Sequence, residues 1–181
     1  MRHEVLFSGF GGQGIILSAV ITGRAAALYD KKFAVQTQVY GPEARGGASM
    51  SAVVIDDDEI LYPEVTSPDI YVIMSQQGYE KYGADAPDNA FMLLDSGLVF
   101  SRPKCRYLGI PATEEAKKAT GRAIVANIIM IGALVSSTGI ISREAIEMAV
   151  MDSVPKGTEE LNMKALNAGF EMGTDGGGKQ I

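Results

Sequence analysis

The chain of 181 residues is about one domain's worth of sequence, and its 46% hydrophobic and 21% charged residues are the balance of a soluble globular protein able to bury a core. Lys plus Arg number 16 against 22 Asp plus Glu, a net charge of −6 with no dense basic run, which argues against nucleic acid and against an anionic membrane as partners. One cysteine, Cys105, and one histidine, His3, exclude an internal disulfide, the four thiolates of an iron–sulfur cluster and a Cys/His zinc site.

The first residues enter a strand-like run directly, without the basic head and long apolar stretch of a signal peptide. The longest late apolar run, over 123–135, covers 13 residues and is broken by Asn127, short of the roughly 20 that span a bilayer. A cytoplasmic location is expected.

In chain order, residues 4–8 form a short buried strand, followed at once by the glycine loop 9–14. Residues 15–29 are apolar on nearly every face, as in a helix covered on most sides. A second strand begins at Phe33, and the loop 40–47 holds Gly41, Pro42, Gly46 and Gly47 as breakers. Residues 48–55 and 59–62 flank three aspartates, Asp56 to Asp58, and predict a strand, tight turn and strand. Further strands are expected over 69–74, 90–95 and 105–110, with a short helix over 76–82. Pro111 suits the first turn of a helix reaching Lys118, and helices over 122–136, 142–151 and 158–169 complete the pattern, the second with Ser142 as N-cap. Alternating strands and helices indicate an α/β fold: a Rossmann-like layered domain with a mainly parallel sheet and a β-hairpin addition, one domain over 1–172 and a flexible tail over 173–181.

Gly9-x-Gly11-x-x-Gly14 matches the dinucleotide fingerprint and lies between a strand and a helix. Glycines allow close backbone approach, and free amides at a helix N-terminus favour an anion. The fingerprint also needs an acid at the end of the second strand to hold a ribose. That strand offers Gln36 and Gln38, and the nearest acid, Asp30, precedes it, so NAD loses ground. The bland alternative is a tight strand–helix turn. Gly12 fits either reading, and Gln13 adds an amide able to bond a ligand or a neighbouring chain. In the second loop, Arg45 beside Gly46 and Gly47 can grip phosphate or carboxylate with two bonds, or it can form a surface pair with Glu43. If both strands run parallel, the two loops share one rim. Ser75 and Gln76 follow a buried strand, where they either meet a ligand or cap the next helix. Asn127 reads as a core or interface amide, and Cys105 as a small buried hydrophobe. The aspartates 56–58 read as a solvated turn rather than a metal site.

The stretch Phe7-Ser-Gly-Phe-Gly-Gly-Gln-Gly14, with Gln38-Val-Tyr-Gly-Pro-Glu-Ala-Arg-Gly-Gly-Ala48, resembles the gamma subunit of 2-oxoacid:ferredoxin oxidoreductases, and most of all their 2-oxoglutarate branch. Tyr62-Pro63, the run from Asp69 to Ser75-Gln76, and Ala126-Asn127 through Gly132-Ala133 extend the likeness over nearly the whole chain. The resemblance implies a complex that decarboxylates a 2-oxoacid on thiamine diphosphate and Mg, passes electrons through iron–sulfur clusters to ferredoxin, and delivers the acyl group to coenzyme A. It places thiamine and clusters on partner alpha, beta and ferredoxin-like delta subunits, and gives this chain a part in binding coenzyme A and closing the complex. Coenzyme A suits the glycine loop plus Arg45, and together with the edge residues read above the expected binding set is Gly9, Gly11, Gly12, Gln13, Gly14, Arg45, Gly46, Gly47, Ser75 and Gln76, with no catalytic residue and no metal ligand. The rival is a stand-alone Rossmann-like nucleotide-binding protein or enzyme. The apolar helices over 15–29 and 123–135 exceed what one sheet face covers, so the isolated chain is expected to depend on partners or to form a homodimer.

Overall fold

The computed structural model describes residues 1–39, 47–121 and 123–174. A six-stranded sheet runs in the order β2-β3-β1-β4-β5-β6. Its strands are β1 (His3–Phe10), β2 (Phe33–Val39), β3 (Ala48–Asp56), β4 (Ile70–Ile73), β5 (Phe91–Asp95) and β6 (Arg106–Ile110). β1, β4, β5 and β6 are parallel neighbours, whereas β3 is antiparallel to both β1 and β2. The mixed, mostly parallel α/β sheet agrees with the sequence.

The hairpin lies elsewhere than expected. Residues 59–62 form no strand, and β3 instead turns back on β2, with Phe33 opposite Asp56 and Val39 opposite Met50. The apolar run 48–55 needed a partner on each side, and the β-branched, alternating 33–39 segment fills one edge. Asp56 and Asp57, at the end of β3, face the Met1 amino group, which holds the Asp57 carboxyl below the usual carboxylate range.

Inward residues alternate along the strands, as the two-residue period requires. Val5, Phe7, Val53, Val72 and Leu93 face a large core, and Leu6, Tyr71, Ile73, Met92 and Leu94 face a smaller one. The large core is roofed by α1 (Ile15–Arg24), α3 (Ala112–Thr120), α4 (Ala126–Thr138), α5 (Arg143–Ser153) and α6 (Glu159–Thr174). α1 continues as a π-turn over Ala25–Tyr29, and α2 (Gln76–Gly78) as another over Tyr79–Gly83, which lies against the smaller core. Ser142 caps α5 by accepting from Ala145 N, and Asp30 accepts from the Ser142 amide and hydroxyl. Cys105 is buried, and burial pushes its thiol up from 9.0.

α4 explains the long apolar run without a partner chain. All ten residues from Ala126 to Val135 are buried, because α6 lies on the face turned away from the sheet. The helices touch backbone to backbone: a Cβ on Gly169 would lie 2.9 Å from the Ile129 carbonyl carbon, and one on Gly173 would lie 2.6 Å from the Ala133 carbonyl oxygen. α6 therefore continues through both glycines to Thr174, where the sequence suggested a stop at Gly169 and a loose tail from Gly173. Residues 175–181 lie outside the described residues. The premise that α4 must seek cover from a second chain does not hold.

Candidate functional site

Strand β1 ends at Phe10, and the chain turns through Gly11, Gly12, Gln13 and Gly14 into α1. A bond from Gln13 N to the Phe10 carbonyl, 3.2 Å, closes the turn. Gly12 and Gly14 have φ of +92° and +77°, in the left-handed region where a Cβ is strained. Gly14 is the N-cap of α1 and supplies no side-chain cap, and the first turn of α1 holds no acidic residue. The positive end of that helix is thus left open beside the loop. Around Gly11 and Gly12 a Cβ would meet nothing within 4 Å, so the loop faces open space there.

Gln13 has another role than the expected one. Its Oε1 accepts from Phe10 N at 2.6 Å, and its Nε2 donates to the Met74 carbonyl at 2.9 Å. Both ends of the amide are used inside the protein, bracing the loop against the end of β4. Gly9 must be glycine for that brace, since a Cβ there would collide with Gln13 Oε1 and lie 2.7 Å from Ile15 Cδ1.

The second loop leaves from the same edge. β1 and β2 run in one direction because each is antiparallel to β3, so the loop joining β2 to β3 starts and ends beside the C-terminal end of β1. Ala48 pairs with Phe10, Ser49 Oγ donates to the Gly9 carbonyl at 3.2 Å, and Ser8 Oγ donates to the Ser49 carbonyl at 3.0 Å. Gly47 is the last residue before that pairing, and Arg45 and Gly46 lie outside the described residues. The shared rim follows from an antiparallel hairpin, rather than from the parallel pairing on which it was expected.

Ser75 and Gln76 occupy the same edge and act within the fold. Ser75 Oγ accepts from Gly78 N at 3.0 Å as the cap of α2. Gln76 Oε1 accepts from Phe100 N, while its Nε2 donates to Ser101 Oγ and Glu80 Oε1, pinning the segment after β5. Gly78 is wedged against β1, where a Cβ would lie 2.7 Å from Ser8 Oγ. Two residues escaped notice as parts of this edge. Asp95, fully buried at the end of β5, accepts from Thr113 N and Oγ1 and from Gly97 N, and burial pushes its carboxyl above 3.8. Asn127, 3% exposed, lies against Gly14.

The profile of the pyruvate ferredoxin/flavodoxin oxidoreductase family matches residues 4–172, close to the whole chain. The chain belongs to that family. The 2-oxoglutarate synthase subunit KorC of Methanocaldococcus jannaschii is 53% identical over 176 residues, covering 95% of this chain and 94% of that one. The gamma subunit of a keto/oxoacid ferredoxin oxidoreductase from Geobacter sulfurreducens superimposes with a TM-score of 0.86 at 43% identity, covering 96% of this chain and 99% of that one. A 2-oxoglutarate:ferredoxin oxidoreductase from Magnetococcus marinus, solved with 2-oxoglutarate, coenzyme A and succinyl-CoA bound, gives 0.81 at 19% identity. There this chain covers 31% of a longer chain, and the likeness is one of fold.

Family membership fits a subunit of an oxidoreductase complex, with other subunits as its partners, in place of a stand-alone enzyme. It also agrees with the weakness of the NAD reading, for which the sheet gives a physical reason. In the dinucleotide fold the ribose-holding acid sits on the strand next to β1. Here β3 stands between β1 and β2, which moves the end of β2 from about 4.8 Å to roughly 9–10 Å away. Asp30 is already committed to Ser142. Calorimetric titration with NAD(H) or NADP(H) should show no saturable binding, and a micromolar dissociation constant would overturn this account of the loop.

Proposed function

We propose that this chain is the gamma subunit of a 2-oxoglutarate:ferredoxin oxidoreductase, and that its C-terminal sheet edge binds coenzyme A and helps to close the complex. One observation carries the ligand reading: the open start of α1, with its bare glycine loop, stands on the same edge as both ends of the β2–β3 connection. Coenzyme A carries a pyrophosphate and a ribose phosphate. Backbone amides at Gly11, Gly12 and Gly14 suit the first, since those of Phe10 and Gln13 are used within the loop, and Arg45 adds a charge-assisted contact from the second loop. In this reading Gly46 and Gly47 let the backbone come close, while Gln13, Ser75 and Gln76 serve by holding the rim in shape rather than by touching the ligand. The choice of 2-oxoglutarate rests on the similarity to the KorC subunit.

Thiamine diphosphate with Mg and the iron–sulfur clusters belong, in this proposal, to alpha, beta and ferredoxin-like delta subunits, where they supply decarboxylation and electron transfer to ferredoxin. The residues present here do not fit those groups. The one cysteine is buried, and among the described residues no cluster of three or more His, Cys, Asp or Glu could hold a metal ion. No helix of the described residues is long and apolar enough to cross a membrane, and we place the complex in the cytoplasm. The exposed Ile16, Leu28 and Ile124 offer apolar surface to partner subunits, or to a second copy when the chain is alone.

The test is reduction of a viologen dye with 2-oxoglutarate, coenzyme A and thiamine diphosphate. The purified chain alone should be inactive, and mixing it with the remaining subunits should produce turnover. Robust turnover by the isolated chain would defeat the assignment.

A further inference from the structure

We propose that two copies of this chain associate through β2, paired antiparallel about Gln36 so that their sheets become one. β2 is an outer strand of the sheet, and among the described residues it has β3 on one side and no strand on the other. None of Phe33 to Gln38 is buried. Ser51 Oγ donates to the Thr37 carbonyl at 2.9 Å, so that carbonyl turns towards β3. In an antiparallel pair the N–H and C=O of one residue point to the same side, and those of the next residue point to the other. Ala34, Gln36 and Gln38 therefore turn their backbone groups outward, as a row of donors and acceptors able to take a further strand.

The composition of the two outer strands singles this edge out. Edges that must stay unpaired are blunted by charges, proline or breaks in the strand. β6, at the opposite edge, carries Arg106 and Gly109 and runs into Pro111. β2 reads Phe-Ala-Val-Gln-Thr-Gln-Val and has none of these devices. It is also complementary to itself, which favours a second copy over a foreign strand. Pairing about Gln36 sets Phe33 opposite Val39, Ala34 opposite Gln38 and Val35 opposite Thr37, with Gln36 opposite its own copy. Val35 and Thr37, both β-branched, then meet once on each side of the axis, and no like charges are opposed. The net charge of −6 disfavours contact between copies over the rest of the surface, whereas β2 brings no charge to the contact. A two-fold pairing uses the β2 edge of both chains and so stops at two. None of this depends on the coenzyme A reading.

The test is light scattering on the full chain over a concentration series, for the natural protein, Gln36→Glu, Gln36→Lys and an equal mixture of the two variants. The natural chain should dimerise. Each variant alone should associate about tenfold or more weakly, because like charges then face each other on the axis. The mixture should dimerise again, since it opposes a carboxylate to an ammonium, and a role confined to the fold of one chain would not produce that rescue. Gln36 Nε2 donates to Ser51 Oγ at 2.8 Å within the chain, so Gln38→Pro carries the test if the Gln36 variants fail to fold. It removes an outward N–H from an exposed residue, leaves the bonds to β3 in place, and should likewise weaken the dimer. A natural chain that stays monomeric throughout, a dimer that none of the variants weakens, or a mixture that is not rescued overturns the proposal. So does a monomeric chain whose β2 amides become protected from hydrogen exchange only in the assembled complex, which would assign the edge to a strand of another subunit.

Discussion

Gly132→Ala should destabilise the chain by about 3 kcal/mol or more, and Gly132→Val should prevent folding. A Cβ on Gly132 would collide with the Leu166 carbonyl oxygen and lie 3.0 Å from both Gly169 Cα and Phe170 N. These are backbone atoms of α6, so no side chain can swing aside to make room. The two helices would have to separate along their whole contact, which also involves Gly169 against Ile129 and Gly173 against Ala133. Separation would open the roof of the main core, where Ile129, Ala133, Leu166 and Phe170 meet. Gly11→Ala is the matched control, because its Cβ would meet nothing within 4 Å and should shift stability by no more than about 0.5 kcal/mol. Urea unfolding of the three proteins checks this, and a midpoint for Gly132→Ala equal to that of the natural chain would mean that the helices can slide apart freely.

Arg45→Ala in the assembled complex should raise the Michaelis constant for coenzyme A and spare that for the oxoacid. A charge-assisted hydrogen bond contributes about 1.5–3 kcal/mol, so its loss corresponds to roughly a ten- to hundredfold weakening. Arg45→Lys should recover only part of this, because an ammonium cannot reproduce the planar two-bond fork. The expectation rests on connectivity: the β2–β3 hairpin brings Val39 and Ala48, the residues flanking this loop, to the edge where β1 enters the glycine loop. Should Arg45 instead pin this chain to the thiamine-binding subunit, the variant complex would dissociate on gel filtration. An intact complex with unchanged coenzyme A kinetics would reduce Arg45 to a surface ion pair.

Local periodicity carried most of the fold. The buried run of β1, the glycine loop and α1 follow from adjacent residues, as does Ser142 at the start of α5. What the sequence concealed was pairing over distance. Val53, Val54 and Ile55 read equally well beside a strand that precedes them or one that follows, and Glu59 to Tyr62 carries enough apolar character to mimic a strand. Gly169 and Gly173 looked like helix terminators, because in isolation glycine weakens a helix. Their value is absence of volume, and it shows only once α4 is seen against them. The site divides in the same way. Gly12 and Gly14 were legible because backbone conformation is local. The bracing role of Gln13 was not legible, because its partner, the Met74 carbonyl, lies 61 residues away. Asn127 was legible as a buried amide, but no pattern of neighbours reveals that Gly14 would come to rest against it.

Hydrogen–deuterium exchange on the assembled complex, with and without coenzyme A, tests the central claim most directly. Coenzyme A should slow exchange in peptides covering the glycine loop and first turn of α1, residues 9–17, and in those covering the β2–β3 connection, residues 40–47, because both leave the same edge. Protection confined to the other subunits, with these two segments exchanging as before, would contradict it.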